Sequence, residues 1–390
     1  MRAPGRRLLG LLLLHSAITQ VITFVLRPTS AYRALELDVP TPWLGALTAS
    51  FAVVPLVLAV PSGQATDRFG ERRVMLLGAV LMALSGAVFW TERGGAAGLV
   101  LGSVVLGTGH LLSVVGQQAA VANTAGPGRF DTAFGYYTFA ASLGQAAGPA
   151  LITLLGGGGA LPDTTPIFAT ATGLGVVLLV CTAFLRIPAA ERPSGAAGGG
   201  VGTLLRLPGL VRALLISCVV LSAVDITLVY LPALGADRGL AAGVVGLLLT
   251  LRAVASMTSR LFLGRLVRRV GRRRLMIVSV ALSAVSMAVV ALPMPAWAMA
   301  VVVALLGLGL GVGQPLTMSW LAEVAPAGLR GRAMSLRLTG NRLGQVLIPS
   351  AVGLAAAGVG AAGVLAATAA ALAVVGVAAR RLAVDGGPTI

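Results

Sequence analysis

The sequence predicts an all-α polytopic membrane protein, with twelve transmembrane helices in two pseudo-symmetric six-helix bundles. Three observations predict it. The 390-residue chain is 57% apolar and 11% charged, whereas soluble domains carry roughly a quarter charged residues. Apolar stretches of about twenty residues, each long enough to cross a bilayer core, recur about twelve times along it. Short motifs also recur at an offset of about 200 residues, as expected of two duplicated halves.

In chain order the first six spans are 8–26, 43–61, 74–91, 98–121, 133–155 and 166–185. The second six are 210–231, 241–263, 274–293, 297–321, 333–355 and 360–379. The start has the charge pattern of a signal peptide, Arg2, Arg6 and Arg7 before an apolar run and His15-Ser16-Ala17. The apolar run continues to Leu26 and eleven further spans follow, so it is read as an uncleaved first helix. Between spans six and seven, the Gly-rich stretch Ser194–Gly200 lies in a flexible linker. The domain boundaries are therefore 1–187, linker 188–209 and 210–390.

All 29 basic residues are arginine and the formal charge is +17. The arginines punctuate hydrophobic spans and form no solvated basic face, which excludes nucleic-acid binding. The absence of lysine fits a GC-rich genome and rules out a phosphate-binding P-loop and a Schiff-base lysine. With the N-terminus in the cytoplasm, 22 arginines fall on the cytoplasmic side and 4 on the other, which is the positive-inside asymmetry of a multi-pass inner-membrane protein with both termini inside. Cys181 and Cys218 lack ligand spacing and read as packing residues. No metal-ligand set or serine-nucleophile motif is visible, so no cofactor, metal or enzymatic activity is expected.

The two halves echo one another. Gly63-Gln64-Ala65-Thr66-Asp67-Arg68-Phe69-Gly70-Glu71-Arg72-Arg73 follows span two, and Gly264–Arg274 follows span eight, with glycines and basic residues superposing at an offset of 201 and Arg268 standing where Asp67 stands. Leu143-Gly144-Gln145 and Pro149 are matched at an offset of 200 by Leu343-Gly344-Gln345 and Pro349. The segment from Gly63 to Arg73 resembles the signature loop of the major facilitator superfamily, with every fixed position met. Together with the span plan and the repeat, the resemblance covers essentially the whole chain.

The resemblance implies alternating access around a cavity lined by spans 1, 4, 7 and 10, with the signature loop as a cytoplasmic latch. Its residues here are Gly63, Asp67, Arg68, Gly70, Arg72 and Arg73. Asp67 is expected at the cytoplasmic start of span eleven, whose positive dipole end and Arg337 favour an anion. Arg72 or Arg73 is expected to pair with Asp131 at the start of span five. Gly144, Gly148 and Pro149 resemble the antiporter motif of the superfamily's fifth helix, without the glycine pair that follows it there; the likeness points to efflux. The helix-4 arginine of many proton-coupled drug exporters is missing, with Ser103 near its place.

Charges inside the bilayer are costly and mark functional sites. Asp225 lies in span seven, Arg252 and Arg260 in span eight, and Arg342 in span eleven, while Glu323 closes span ten. Polar stripes at helical spacing run through His15, Thr19, Thr23 and Arg27, through His110, Ser113 and Gln117, and through Arg337, Asn341 and Gln345. These stripes are expected to converge on the cavity, the competing reading being interhelical hydrogen bonding. Gly307/Gly311 and Gly309/Gly313 read as small-residue pairs for close helix approach. Asp225 and Glu323 are the candidates for proton coupling. The candidate substrate contacts are Gln20, His110, Gln117, Tyr136, Arg252, Gln314, Asn341, Arg342 and Gln345. The expected function is proton-coupled export of a small organic molecule by a monomer. Uptake of an organic anion held by Arg252 and Arg342 is the alternative, and a non-transporting receptor or channel is a third class.

Overall fold

In hydrocarbon the backbone must satisfy its own hydrogen bonds, which continuous apolar spans of about twenty residues do as helices. The computed structural model describes residues 3–37, 41–91, 95–126, 128–156, 162–187, 201–207, 209–240, 242–326, 328–355 and 360–379. Among the described residues every regular element is helical. The first group comprises α1 (Ala3–Glu36), α2 (Thr41–Phe69), α3 (Glu71–Trp90), α4 (Gly95–Thr124), α5 (Phe130–Leu155), α6 (Thr164–Phe184) and the short α7 (Val201–Leu205). The second comprises α8 (Leu210–Asp237), α9 (Ala242–Leu261), the short α10 (Leu263–Val270), α11 (Arg272–Val290), α12 (Ala296–Val324), α13 (Arg330–Ala355) and α14 (Gly360–Ala379). Setting α7 and α10 aside, twelve long helices take the places of the twelve expected spans.

Eight of them are long and apolar enough to cross a membrane by composition alone among the described residues, and the bent pair α9–α10 makes a ninth. The helices outside that set are α2, α5 and α13. α13 carries Arg330, Arg332, Arg337, Asn341, Arg342 and Gln345 within one helix, so its low hydropathy reflects polar groups turned to protein partners.

Two expectations about local structure are corrected. Gly63–Phe69 was expected as loop, yet α2 runs on to Phe69, and Gly70, at φ 90°, alone separates it from α3. A side chain at that φ is strained, which is why glycine serves there. Gly271, at φ 83°, does the same between α10 and α11, 201 residues on. Span eight, expected as one helix over 241–263, breaks at Phe262, and its two pieces bend by 63°. The linker residues 188–200 and 208 lie outside the described residues, as do Arg2, Arg93, Arg380 and Arg381.

Two compact units result. Unit 1 consists of Met1–Gly126, Phe139–Gly198 and Ala325–Leu336; unit 2 consists of Pro127–Thr138, Gly199–Val324 and Arg337–Ile390. In unit 1, α3 packs on α4 and α6, α2 on α4, and α1 on α6 and α4. In unit 2 the counterparts repeat: α11 on α12 and α14, α9 on α12, and α8 on α14 and α12. Lipid removes the hydrophobic drive between helices, so small residues that allow close approach set these contacts. A Cβ on Gly78 would lie 2.5 Å from Ser113 Oγ, and one on Gly309 would lie 2.4 Å from Ser283 Oγ. Around the unit 1 crossing, Ile22, Leu26, Met82, Leu106, Phe168 and Leu178 fill the core, with Phe89 stacked on Phe168 at 5.4 Å.

Candidate functional site

The end of α2 meets the start of α13 within unit 1. A helix start exposes unsatisfied backbone N–H groups that attract an anion, and Asp67 supplies it. Its Oδ1 accepts from Gly331 N–H at 2.8 Å and its Oδ2 from Arg332 N–H at 3.1 Å, with Arg332 Nε 3.5 Å away. The approach requires glycine on both sides: a Cβ on Gly63 would lie 2.2 Å from Ser335 Oγ, and one on Gly331 would lie 2.5 Å from Asp67 Oδ1. Burial outweighs the two amides and Arg332 and pushes the Asp67 carboxyl up to about 6. Arg332, not the expected Arg337, is thus the basic partner. Beside it, Glu71 accepts from Asn123, and Arg330 donates to Ala122 O at 2.9 Å and Asn123 Oδ1 at 3.1 Å.

Unit 2 builds the equivalent place with the charges exchanged. Asp131, at the start of α5, receives Arg272 in a two-point fork, Nη2 to Oδ2 at 2.8 Å and Nε to Oδ1 at 3.2 Å, a geometry that suits guanidinium and carboxylate. Ser319 donates to Asp131 Oδ1 at 2.6 Å, and Arg272 also pairs with Glu323. Arg272 stands 201 residues after Glu71, so an acid at the start of α3 becomes a base at the start of α11. The expected pairing of Asp131 with Arg72 or Arg73 is therefore corrected: Arg72 donates to Ala183 O at 2.6 Å, and Arg73 is exposed. Glu323, a candidate for proton coupling, is an ion-pair partner here. Arg68 lies over the Phe69 ring at 5.2 Å.

The stripe on α1 is closed within unit 1. Gln117 Nε2 donates to His15 Nδ1 at 2.7 Å and to Thr19 Oγ1 at 2.9 Å, and His15 Nε2 reaches Thr182 Oγ1 at 2.8 Å. Because Gln117 donates to Nδ1, the network assigns the ring proton to Nε2. His110 Nδ1 meets Thr23 Oγ1 at 2.9 Å. His15, Thr19 and Thr23 are all fully or almost fully buried, and this stripe ties α1 to α4 and α6. Arg27 lies over the Phe51 ring at 4.5 Å. Gln20, on another face, accepts from Gln145 at 3.4 Å.

Unit 2 holds two polar clusters. In the first, Arg337 donates to Gln314 Oε1 at 2.7 Å, Ser217 donates to Asn341 Oδ1 at 2.8 Å, and Gln314 Nε2 donates to Ser217 O at 2.7 Å. Gln314 and Asn341, expected as substrate contacts, are engaged in joining α8, α12 and α13. In the second cluster, Gln345 Nε2 donates to Asp225 Oδ2 at 2.7 Å and its Oε1 accepts from Arg342 at 3.1 Å. Asp225 is also the carboxylate whose charge acts on Arg252. Arg252 is 6% exposed, and its Nε has no hydrogen-bond partner among the described residues. Ser222 Oγ, one turn before Asp225, is likewise buried and unpartnered. Tyr136 is 37% exposed in the α5 segment of unit 2.

Family comparison decides the identity of this architecture. The model described as Major Facilitator Superfamily matches residues 9–240 and again 213–389. The chain belongs to the Major Facilitator Superfamily. It is a multi-pass membrane protein and a secondary transporter of that superfamily. No curated protein matches the sequence significantly. Among solved structures it resembles a variant of the E. coli fucose:proton symporter FucP, at 14% identity and a TM-score of 0.82 over 95% of this chain and 97% of that one. It also resembles the human organic anion transporter MFSD10, at 18% identity and 0.79 over 97% and 100%. A bacterial homologue of the iron transporter ferroportin aligns at 17% identity and 0.78 over 95% and 98%. These likenesses carry the superfamily fold.

Within that fold the glycines of the fifth helix have a packing role. A Cβ on Gly144 would lie 2.2 Å from Ala17 O, and one on Gly148 would lie 2.7 Å from Phe24 Cβ, so α5 lies directly on α1 beside Pro149. The repeat does the same: a Cβ on Gly344 would lie 1.9 Å from Cys218 Sγ, which explains that cysteine. Gly307 and Gly311 both receive α9, at Arg252 O and Ser259 Oγ. Gly309 faces α11 and Gly313 faces Val220 of α8, so the second small-residue pair serves two helices. Ser217, Ser222, Arg272, Ser319 and Arg332 were not singled out from sequence. The exchange of Glu71 for Arg272 in the repeat was the available signal for one of them.

Proposed function

We propose that this transporter carries a small organic anion together with a proton, Arg252 receiving the anion and Asp225 the proton. One observation carries the reading: Arg252 is a buried cation whose Nε has no hydrogen-bond partner among the described residues, and the charge of Asp225 acts on it. A buried charge left short of partners is costly, and a substrate carboxylate would offset that cost. While Asp225 is ionised, an incoming anion meets a like charge in a medium of low dielectric; protonating Asp225 removes that repulsion. Proton and anion therefore load together. Gln345 and Arg342 orient the Asp225 carboxylate, and Ser222 Oγ offers a further polar contact. FucP is named as a proton symporter and MFSD10 as an organic anion transporter, which supports proton coupling and the charge class.

The halves 1–187 and 210–390, joined by linker 188–209, are the bodies that alternate in access to the two sides, with both termini in the cytoplasm of a bacterial inner membrane. Asp67 with Gly331 and Arg332, and Asp131 with Arg272 and Glu323, serve as paired latches. Exchange of a substrate for a proton, that is export, is the second reading, favoured by the likeness of Gly144, Gly148 and Pro149 to the superfamily's antiporter motif.

The test is proton flux in proteoliposomes holding a pH-sensitive dye, challenged from outside with small carboxylates. Acidification of the lumen on carboxylate addition, abolished in Arg252→Gln and Asp225→Asn, is the result expected. Alkalinisation would establish exchange and overturn joint loading. A response only to lipophilic cations would overturn the anion assignment.

A further inference from the structure

We infer that the break between α9 and α10 forms a seat for an anionic phospholipid, with its phosphate on Arg265 and Arg269 and one acyl chain between α9, α11 and α12. A cavity of roughly 590 Å³ lies there, walled by Phe262, Leu266, Val278, Leu282, Leu308 and Val312. Its size falls within the range of small-ligand sites, about 300–1,000 Å³. Phe262 and Val278 are exposed, so the groove opens on the outer surface of unit 2. Arg265 and Arg269 line it four residues apart on one face of α10. Arg265 lies over the Phe262 ring at 5.4 Å, and neither arginine makes an ion pair or side-chain hydrogen bond among the described residues.

Charge complementarity selects the occupant. From Arg238 to Ala322 the sequence contains nine arginines and no acidic residue, so no carboxylate of this stretch competes for Arg265 and Arg269. An apolar wall ending in two free guanidinium groups matches an acyl chain ending in a phosphate. Basic pockets between membrane helices bind such headgroups, each basic residue strengthening the attraction. The repeat supplies the contrast. In unit 1, α2 runs unbroken to Phe69, and Gln64 stands at the position equivalent to Arg265. The break and the added arginine therefore belong to the second repeat alone, beyond what the shared packing plan requires.

The experiment measures lipid retained by the full-length, delipidated chain in neutral detergent, using native mass spectrometry with phosphatidylglycerol, phosphatidylcholine and inorganic phosphate as probes. Phosphatidylglycerol is expected to bind in preference to phosphatidylcholine. In the Arg265→Gln/Arg269→Gln double variant its affinity is expected to fall about thirtyfold, and in Arg265→Lys/Arg269→Lys to be largely kept. Leu308→Trp, which fills the groove, is expected to lose phosphatidylglycerol, and Arg274→Gln to keep it. Equal phosphatidylglycerol binding in wild type and in the Gln double variant would overturn the proposal. So would competition by millimolar inorganic phosphate, which would make the site one for a free anion, or undiminished binding in Leu308→Trp.

Discussion

Asp67 caps α13 through the backbone N–H groups of Gly331 and Arg332, at 2.8 and 3.1 Å. In unit 2 the acid is transposed: Asp131 sits at the start of α5 and grips Arg272 at the start of α11. The two units thus solve one problem, tying a helix start to its neighbours, with carboxylates placed on opposite partners.

The Gly63 contact leaves no room for a methyl group. Gly63→Ala is expected to cost about 1–3 kcal/mol, the usual range for overpacking, and Ser335→Ala is expected to relieve part of it, because the Gly331 carbonyl, 2.7 Å from the added Cβ, remains. Thermal unfolding of the two single variants and the double variant checks this.

Asp67 should titrate late. Its carboxyl is raised from 3.8 to about 6, chiefly by burial and secondarily by Glu71, against the opposing pull of the two amides and Arg332. The folded chain therefore holds this proton more tightly than the unfolded one. As pH rises from about 4 to about 6 the unfolded state loses its proton first, so the contribution of this group to stability declines through that window and is flat above it. Infrared difference spectra of wild type against Asp67→Asn should show a protonated carboxyl band vanishing with a midpoint near pH 6. A midpoint near 4 would show that the amides and Arg332 prevail over burial.

Asp131 and Arg272 should be energetically coupled. A double-mutant cycle of Asp131→Asn and Arg272→Gln is expected to return a coupling of about 0.5–3 kcal/mol, as residues in contact do. The same cycle with Arg72→Gln should return none, since Arg72 engages Ala183 O.

The repeat, the spans and the small-residue crossings were legible because they depend on composition and period. The break at Phe262 was not, since nothing in Arg260-Leu261-Phe262-Leu263 disrupts a helix by propensity; the bend arises where α10 turns away from α9. Which face of a polar stripe points where was also illegible. His15, Thr19 and Thr23 have the spacing of a cavity lining, yet Gln117, Thr182 and His110 bond to them inside unit 1. Spacing identifies a stripe but not its partners, and those come from helices far away in sequence. Asp225, Arg342 and Gln345 were recognised individually, and the structure joins them through Gln345.

Gln117→Leu follows from the same distinction. It strands His15 Nδ1 and Thr19 Oγ1 without a donor, so it is expected to lower stability by about 1–3 kcal/mol while leaving the substrate KM within about twofold of wild type. Unfolding and initial-rate transport measured on one preparation separate the two effects. A KM rise of tenfold or more at unchanged stability would return this stripe to the transport path.

The most direct test of joint loading on Arg252 and Asp225 is proton uptake on carboxylate binding, followed in weakly buffered detergent solution. The account predicts about one proton taken up for each anion bound in wild type, binding without uptake in Asp225→Asn, and no binding in Arg252→Gln. Proton release on binding, or undiminished binding in Arg252→Gln, would contradict it.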